Sequence, residues 1–139
     1  MTTKSFIILF IKTNNIGREC TLDLTKFTKL RYLNTNARND AIYSEYEESE
    51  NMVYNIVLSS NPNLKYLNIS YTNTTSIPDC PNLRYLNARY TSLTTLPHLP
   101  YLKYLNIMNT QITKLYDECL IEHLNISNTK INKLPDTYT

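Results

Sequence analysis

Leu64, Leu83, Leu102 and Ile121 stand 19 residues apart, and each opens the same phrase: LKYLNISYTNTTSIPD, LRYLNARYTSLTTLPH, LKYLNIMNTQITKLYD and IEHLNISNTKINKLPD. A repeat of this period is one supersecondary unit that cannot bury its apolar face alone, so neighbouring units must stack and share a core. In columns, the phrases give Leu67/Leu86/Leu105/Leu124, then Ile69/Ala88/Ile107/Ile126, then a constant Thr72/Thr91/Thr110/Thr129. Two more apolar columns follow: Leu93/Ile112/Ile131, with Thr74 as the exception, and Ile77/Leu96/Leu115/Leu134. Leu30 begins an earlier unit with the same opening, LRYLNTNARNDAIYS.

The pattern LxxLxLxxTxLxxLP resembles the leucine-rich repeat family, with Thr where most members carry Asn. The resemblance covers residues 30 to 136. It implies an α/β solenoid in which YLNIS-type segments are strands of a curved parallel sheet on a concave face. Side chains alternate across a strand, so Leu67 and Ile69 enter the core while Tyr66, Asn68 and Ser70 face outward. The constant threonine is placed to bond backbone where the chain bends inward. Nineteen residues leave no room for a convex helix, and the proline-bearing returns IPDCP, LPHLP and LPD are expected to run extended or as tight turns. Such short returns are similar to those of bacterial effector proteins and of leucine-rich proteins from large DNA viruses, insect poxviruses among them. The ubiquitin-ligase domain that some of those effectors append has no counterpart in this sequence.

The unit at Leu30 differs because the next begins only at Leu64. Its insert, SEYEESENMVYNIVLSSNP, puts Met52, Val53, Ile56 and Val57 at helical spacing behind a run of acidic residues, which predicts one convex helix near 45–60. Residues 1–29, with FIILFIK and CTLDLT around NNIG, read as an N-terminal capping hairpin. Residues 30–139 then form the solenoid, with repeat starts at 30, 64, 83, 102 and 121, and the whole is one structural domain. No comparable cap follows Leu134, which would leave the strand containing Leu124 and Ile126 as an open edge.

The repeat also aligns what faces outward. The first outward column is Tyr32, Tyr66, Tyr85, Tyr104, His123; the second is Asn34, Asn68, Asn87, Asn106, Asn125, whose amides could bond one another from turn to turn. The third holds Asn36, Ser70, Arg89, Met108 and Ser127, and the fourth Ala37, Tyr71, Tyr90, Asn109 and Asn128. A basic column, Arg31, Lys65, Arg84 and Lys103 followed by Glu122, lies just before the strands. Tyrosines flanking asparagines make a broad amphipathic surface of the composition enriched in binding hot spots. The candidate contact residues are Tyr66, Tyr85, Tyr104, Tyr71, Tyr90, Arg89, Met108, Asn87, Asn106 and His123.

Chemistry finds less support. A single glycine cannot build a phosphate loop, and neither of the two histidines has a nucleophile beside it in the repeat register. Cys119 falls in the proline column while His123 lies on the outward face, so they do not make a catalytic pair. Asp79, His98, Asp117 and Asp136 share one offset at the convex edge and read as an exposed charge ladder rather than a metal site. No catalytic residue, metal or cofactor is expected. Three irregularly spaced cysteines argue for a reducing compartment, and FIILFI is too short for a membrane span.

The expected function is therefore a non-catalytic protein–protein interaction module that binds a partner of unknown identity on its concave face. The resemblance points to a viral or effector protein acting on host proteins, located in the cytoplasm, the host's if the chain is viral. One alternative is single-stranded nucleic-acid binding by the tyrosine ladder and Arg/Lys rim, disfavoured by a net charge of only +2. The other is self-assembly through the C-terminal edge, giving a monomer or a weak dimer.

Overall fold

The computed structural model describes residues 8–10, 21–35, 55–117 and 120–138. Each repeat phrase yields one short strand centred on its second leucine, the residue that alternation sends into the core. The strands are β1 (Ile8–Phe10), β2 (Thr21–Asp23), β3 (Tyr32–Asn34), β4 (Asn55–Val57), β5 (Tyr66–Asn68), β6 (Tyr85–Asn87), β7 (Tyr104–Asn106) and β8 (His123–Asn125). Six form one parallel sheet in the order β1-β3-β5-β6-β7-β8, and β2 with β4 forms a separate parallel pair. Register keeps the sequence columns intact: Leu33, Leu67, Leu86, Leu105 and Leu124 lie side by side, as do Tyr32, Tyr66, Tyr85, Tyr104 and His123.

Parallel neighbours need a long crossover, commonly a helix. Among the described residues the crossovers are non-helical, and the one helical element is a single 3₁₀ turn, Asp136–Tyr138. What replaces the helix is turn-to-turn hydrogen bonding along the returns: Ser92 N–H donates to Thr74 C=O at 3.1 Å, Gln111 to Leu93 at 3.0 Å and Lys130 to Ile112 at 3.0 Å. A tight turn then leads into each strand, with Leu83 N–H donating to Cys80 C=O and Leu102 N–H to Leu99 C=O. The fold is thus a solenoid-like stack of short parallel strands.

Between sheet and returns lies one core: Leu64, Leu83 and Leu102; Leu67, Leu86 and Leu105; Ile69, Ala88 and Ile107; Leu93 and Ile112 are all buried. The constant threonine closes each bend from inside. Thr72, Thr91, Thr110 and Thr129 donate their hydroxyls to the carbonyls of Ile69, Ala88, Ile107 and Ile126 at 2.7–2.8 Å. Thr74, the polar exception in an apolar column, is buried and bonded at 2.8 Å to the Thr72 hydroxyl, which removes the desolvation cost of an orphan group.

Two sequence expectations change. The helix near 45–60 is not continued into its last part: Asn55–Val57 is strand β4, in register with β2 as Thr21↔Asn55, Leu22↔Ile56 and Asp23↔Val57. A short apolar run such as Ile56-Val57-Leu58 satisfies helical and strand spacing alike, and burial of Ile56 beside exposed Val57 decides for the strand. Residues 36–54, which hold the rest of that expectation, lie outside the described residues. The hairpin expected in 1–29 is likewise not how the described strands pair. β1 lies parallel to β3 in the main sheet, as Leu9↔Leu33, while β2 belongs to the other sheet. Partners distant in sequence satisfy both strands.

At the other end, β8 is the last strand of the sheet, and Ile121, Leu124, Ile126, Ile131 and Leu134 are only partly buried. The 3₁₀ turn folds back so that half-buried Tyr138 shares a small apolar recess with Leu96, Leu99, Leu115, Tyr116 and Ile121. It covers part of the last turn and leaves β8, paired with β7 on one side, without a neighbour on the other among the described residues.

Candidate binding face

Because the strands are in register, the first outward column becomes a stack of rings. Tyr32 and Tyr66 lie 4.1 Å apart by centroid with planes 9° from parallel, and Tyr66–Tyr85 and Tyr85–Tyr104 follow at 4.2 Å and 8°. The stack stops at His123, which sits 6.1 Å from Tyr104 and is tilted by 46°. All four tyrosines are half-buried. Burial raises the phenol pKa of Tyr66, and the hydroxyls of Tyr32 and Tyr85 beside it push the same way. Burial also raises that of Tyr85. These hydroxyls stay protonated and able to donate throughout the physiological range.

The asparagine column behaves differently from its place on the outward face. Asn68 is 4 % exposed, and Asn87 and Asn106 are each 7 % exposed. Their side-chain oxygens turn back on their own chain: Asn68 Oδ1 accepts from Ser70 N–H at 3.1 Å and from Ser70 Oγ at 2.7 Å. The equivalent oxygens of Asn87, Asn106 and Asn125 accept from Arg89, Met108 and Ser127 N–H at 3.1–3.4 Å. Asn87 and Asn106, expected as contact residues, are therefore covered supports that shape the bend after the strand. The amide bond from turn to turn does occur, but in the fourth column, where Asn128 Nδ2 donates to Asn109 Oδ1 at 3.1 Å.

That fourth column holds a feature the sequence reading missed. Tyr71, Tyr90, Asn109 and Asn128 all have left-handed backbone, with φ of 61°, 55°, 55° and 55°. Asparagine tolerates this region, whereas a tyrosine there costs about 1–2 kcal/mol. The signal available in sequence was the pair of asparagines at this offset, since Asn is the usual substitute where glycine is absent. Tyr71 and Tyr90 stack at 4.9 Å and 9°, and the Arg89 guanidinium lies 5.2 Å from the centre of the Tyr71 ring. Tyr90 is 44 % exposed, so the strained backbone displays its ring. Arg89 and Met108 are half-buried between the two ring columns, and exposed His123 ends the first of them.

The basic column is a continuation of the sheet. Lys65 N–H donates to Arg31 C=O at 3.0 Å, Arg84 to Lys65 at 3.0 Å, Lys103 to Arg84 at 2.9 Å and Glu122 to Lys103 at 2.8 Å, and all five side chains are exposed. Lys103 Nζ pairs with Glu122 and holds its carboxyl below the usual range, chiefly through the hydrogen bond and then through charge.

Elsewhere, burial pushes the Cys80 thiol up to about 11, so this free cysteine is protonated and unreactive at neutral pH. Asp79, His98, Asp117 and Asp136 are exposed, and no cluster of three or more potential metal ligands occurs among the described residues. His98 instead packs edge-on to Tyr116 at 6.2 Å. Cys119 lies outside the described residues. No helix among the described residues is long and apolar enough to cross a membrane. In comparisons with protein-family models, curated proteins and solved structures, none matches this chain.

Proposed function

We propose that this chain is a non-catalytic leucine-rich repeat module that binds a protein partner on the face bearing Tyr66, Tyr85 and Tyr104, with Tyr71, Tyr90, Arg89 and Met108 beside them. Assignment to that repeat class rests on the 19-residue spacing, the leucine columns and the threonine that bonds the carbonyl three residues back. On this reading the tyrosine face is the concave one. The observation that carries the function is the stack of four tyrosines, whose rings are held at 4.1–4.2 Å before any partner arrives. Tyrosine supplies amphipathic contact area at low entropy cost, and a pre-ordered ring loses less freedom on binding. Left-handed Tyr71 and Tyr90 add to the case, because stability alone would favour glycine or asparagine there. A cytoplasmic setting accords with the buried free thiol of Cys80.

The nucleic-acid reading is weakened by the same stack. Bases bind to ring faces, and the faces of Tyr66 and Tyr85 are covered by their neighbours. Self-association is a second reading, favoured by the half-buried core of the last turn and by the outer edge of β8, which has no partner among the described residues. Light scattering that finds a monomer at high concentration removes it.

The test is capture from nuclease-treated lysate by wild type and by the Tyr66→Ala/Tyr85→Ala/Tyr104→Ala variant, with a thermal melt to establish that the variant is folded. Partners retained by wild type alone support the proposal. Identical retention by both proteins sinks it.

A further inference from the structure

We infer that the segment this face holds is extended and acidic, crossing the turns with its carboxylates against Lys65 and Arg84. The inference rests on the proposed binding function and names the chemistry of the partner. Two separate features select the same sign of charge.

The first is the rim. Arg31, Lys65, Arg84 and Lys103 are consecutive rungs of one backbone ladder, so four exposed cations follow one another at strand spacing. Lys103 pairs with Glu122 at the C-terminal end of this rim. Lys65 and Arg84 are like charges on adjacent rungs, a potential that an incoming carboxylate relieves. The pair also bounds the site, since the positive stretch ends where Glu122 neutralises Lys103.

The second feature is what stacked rings leave uncovered. Face-to-face packing of Tyr32, Tyr66, Tyr85 and Tyr104 uses up the electron-rich faces and leaves the ring edges as the side a partner meets. Ring edges are the positive part of the aromatic quadrupole, so the outer margin of the ladder suits an acceptor and not a cation. Spacing is compatible as well. Rungs are about 4.8 Å apart and alternate side chains of an extended chain about 6.6 Å apart, a difference that long lysine and arginine side chains absorb.

A random dodecapeptide library displayed on phage can be selected on wild type, on Lys65→Glu/Arg84→Glu and on the tyrosine triple variant. Peptides enriched on wild type are expected to carry Asp or Glu at alternate positions. They should bind the charge-reversed protein at least about tenfold more weakly, with lysine versions of the same peptides showing the opposite preference. Both rim side chains are exposed, so reversal should leave the melting temperature unchanged; if it does not, Lys65→Gln/Arg84→Gln makes the same comparison. Neutral or basic peptides that lose binding on the tyrosine variant but not on the rim variants overturn the acidic partner and leave the binding function standing. Peptides indifferent to both sets of changes, or no enrichment at all, overturn both.

Discussion

The turn that starts at Leu83 and the turn that starts at Ile121 have almost the same phrase and different fates. Leu83, Leu86, Ala88 and Leu93 are buried completely, while their counterparts Ile121, Leu124, Ile126 and Ile131 are only partly covered. Tyr85 has a parallel ring on each side, but His123 tilts away from its single neighbour. The contrast shows that burial in such a stack belongs to the neighbour as much as to the residue. Each turn supplies half of the environment of the next, so an inner turn and a terminal one differ in stability even where their sequences agree.

The sharpest way to break this comparison is to remove the same leucine from both turns. Leu86→Ala is expected to lower unfolding free energy by about 2–5 kcal/mol, and Leu124→Ala by less than half as much, in denaturant titrations. Equal losses would mean that the last turn is covered in solution. Next comes the threonine: Thr110→Val leaves the buried Ile107 carbonyl without its donor, at about 1–3 kcal/mol, whereas water can replace the hydroxyl of half-exposed Thr129, so Thr129→Val should cost less.

The pH response sharpens the same contrast on the ring column. Tyr66 and Tyr85 have pKa values raised above the ordinary 10.0, so above that pH the unfolded chain releases protons that the folded chain retains. Their contribution to stability is fully present below about pH 10 and is lost as the pH climbs through the raised values. Denaturation midpoints should fall in that range, tyrosinate absorbance should lag behind free tyrosine, and Tyr66→Phe/Tyr85→Phe should flatten the fall. The smallest effect is expected for Lys103→Ala. Its partner is fully exposed, so the melting temperature should not move measurably, while the Glu122 carboxyl should titrate at higher pH by NMR once its hydrogen bond is gone.

The leucine, tyrosine and threonine columns were legible in the sequence because one spacing recurs, and recurrence sets register without knowledge of packing. Residues 55–57 were not, since Ile56 and Val57 fit two periodicities and only the presence of β2 selects the strand. β1 was assigned to a hairpin for a related reason: strand partners are chosen by the whole stack, and local sequence cannot say that Leu9 lies beside Leu33. At the candidate site, the alignment of Tyr66 with Tyr85 follows from the repeat, whereas the burial of Asn87 and Asn106 does not. A side chain that points away from the core can still be roofed by the rows on either side, and a short one such as asparagine is roofed first. The left-handed tyrosines escaped notice because Tyr71 and Tyr90 obscure a conformational preference that Asn109 and Asn128 reveal.

The ring spacing has a mechanical meaning. Strands in a sheet lie about 4.8 Å apart, yet the tyrosine centroids above them are 4.1–4.2 Å apart. Rings set closer together than such strands are what a sheet bowed toward its tyrosine side requires, and this accords with the concave face proposed above. On that proposal the thickness of an aromatic ring would gauge the radius of the bow, and with it the width of the object the tyrosine face can embrace.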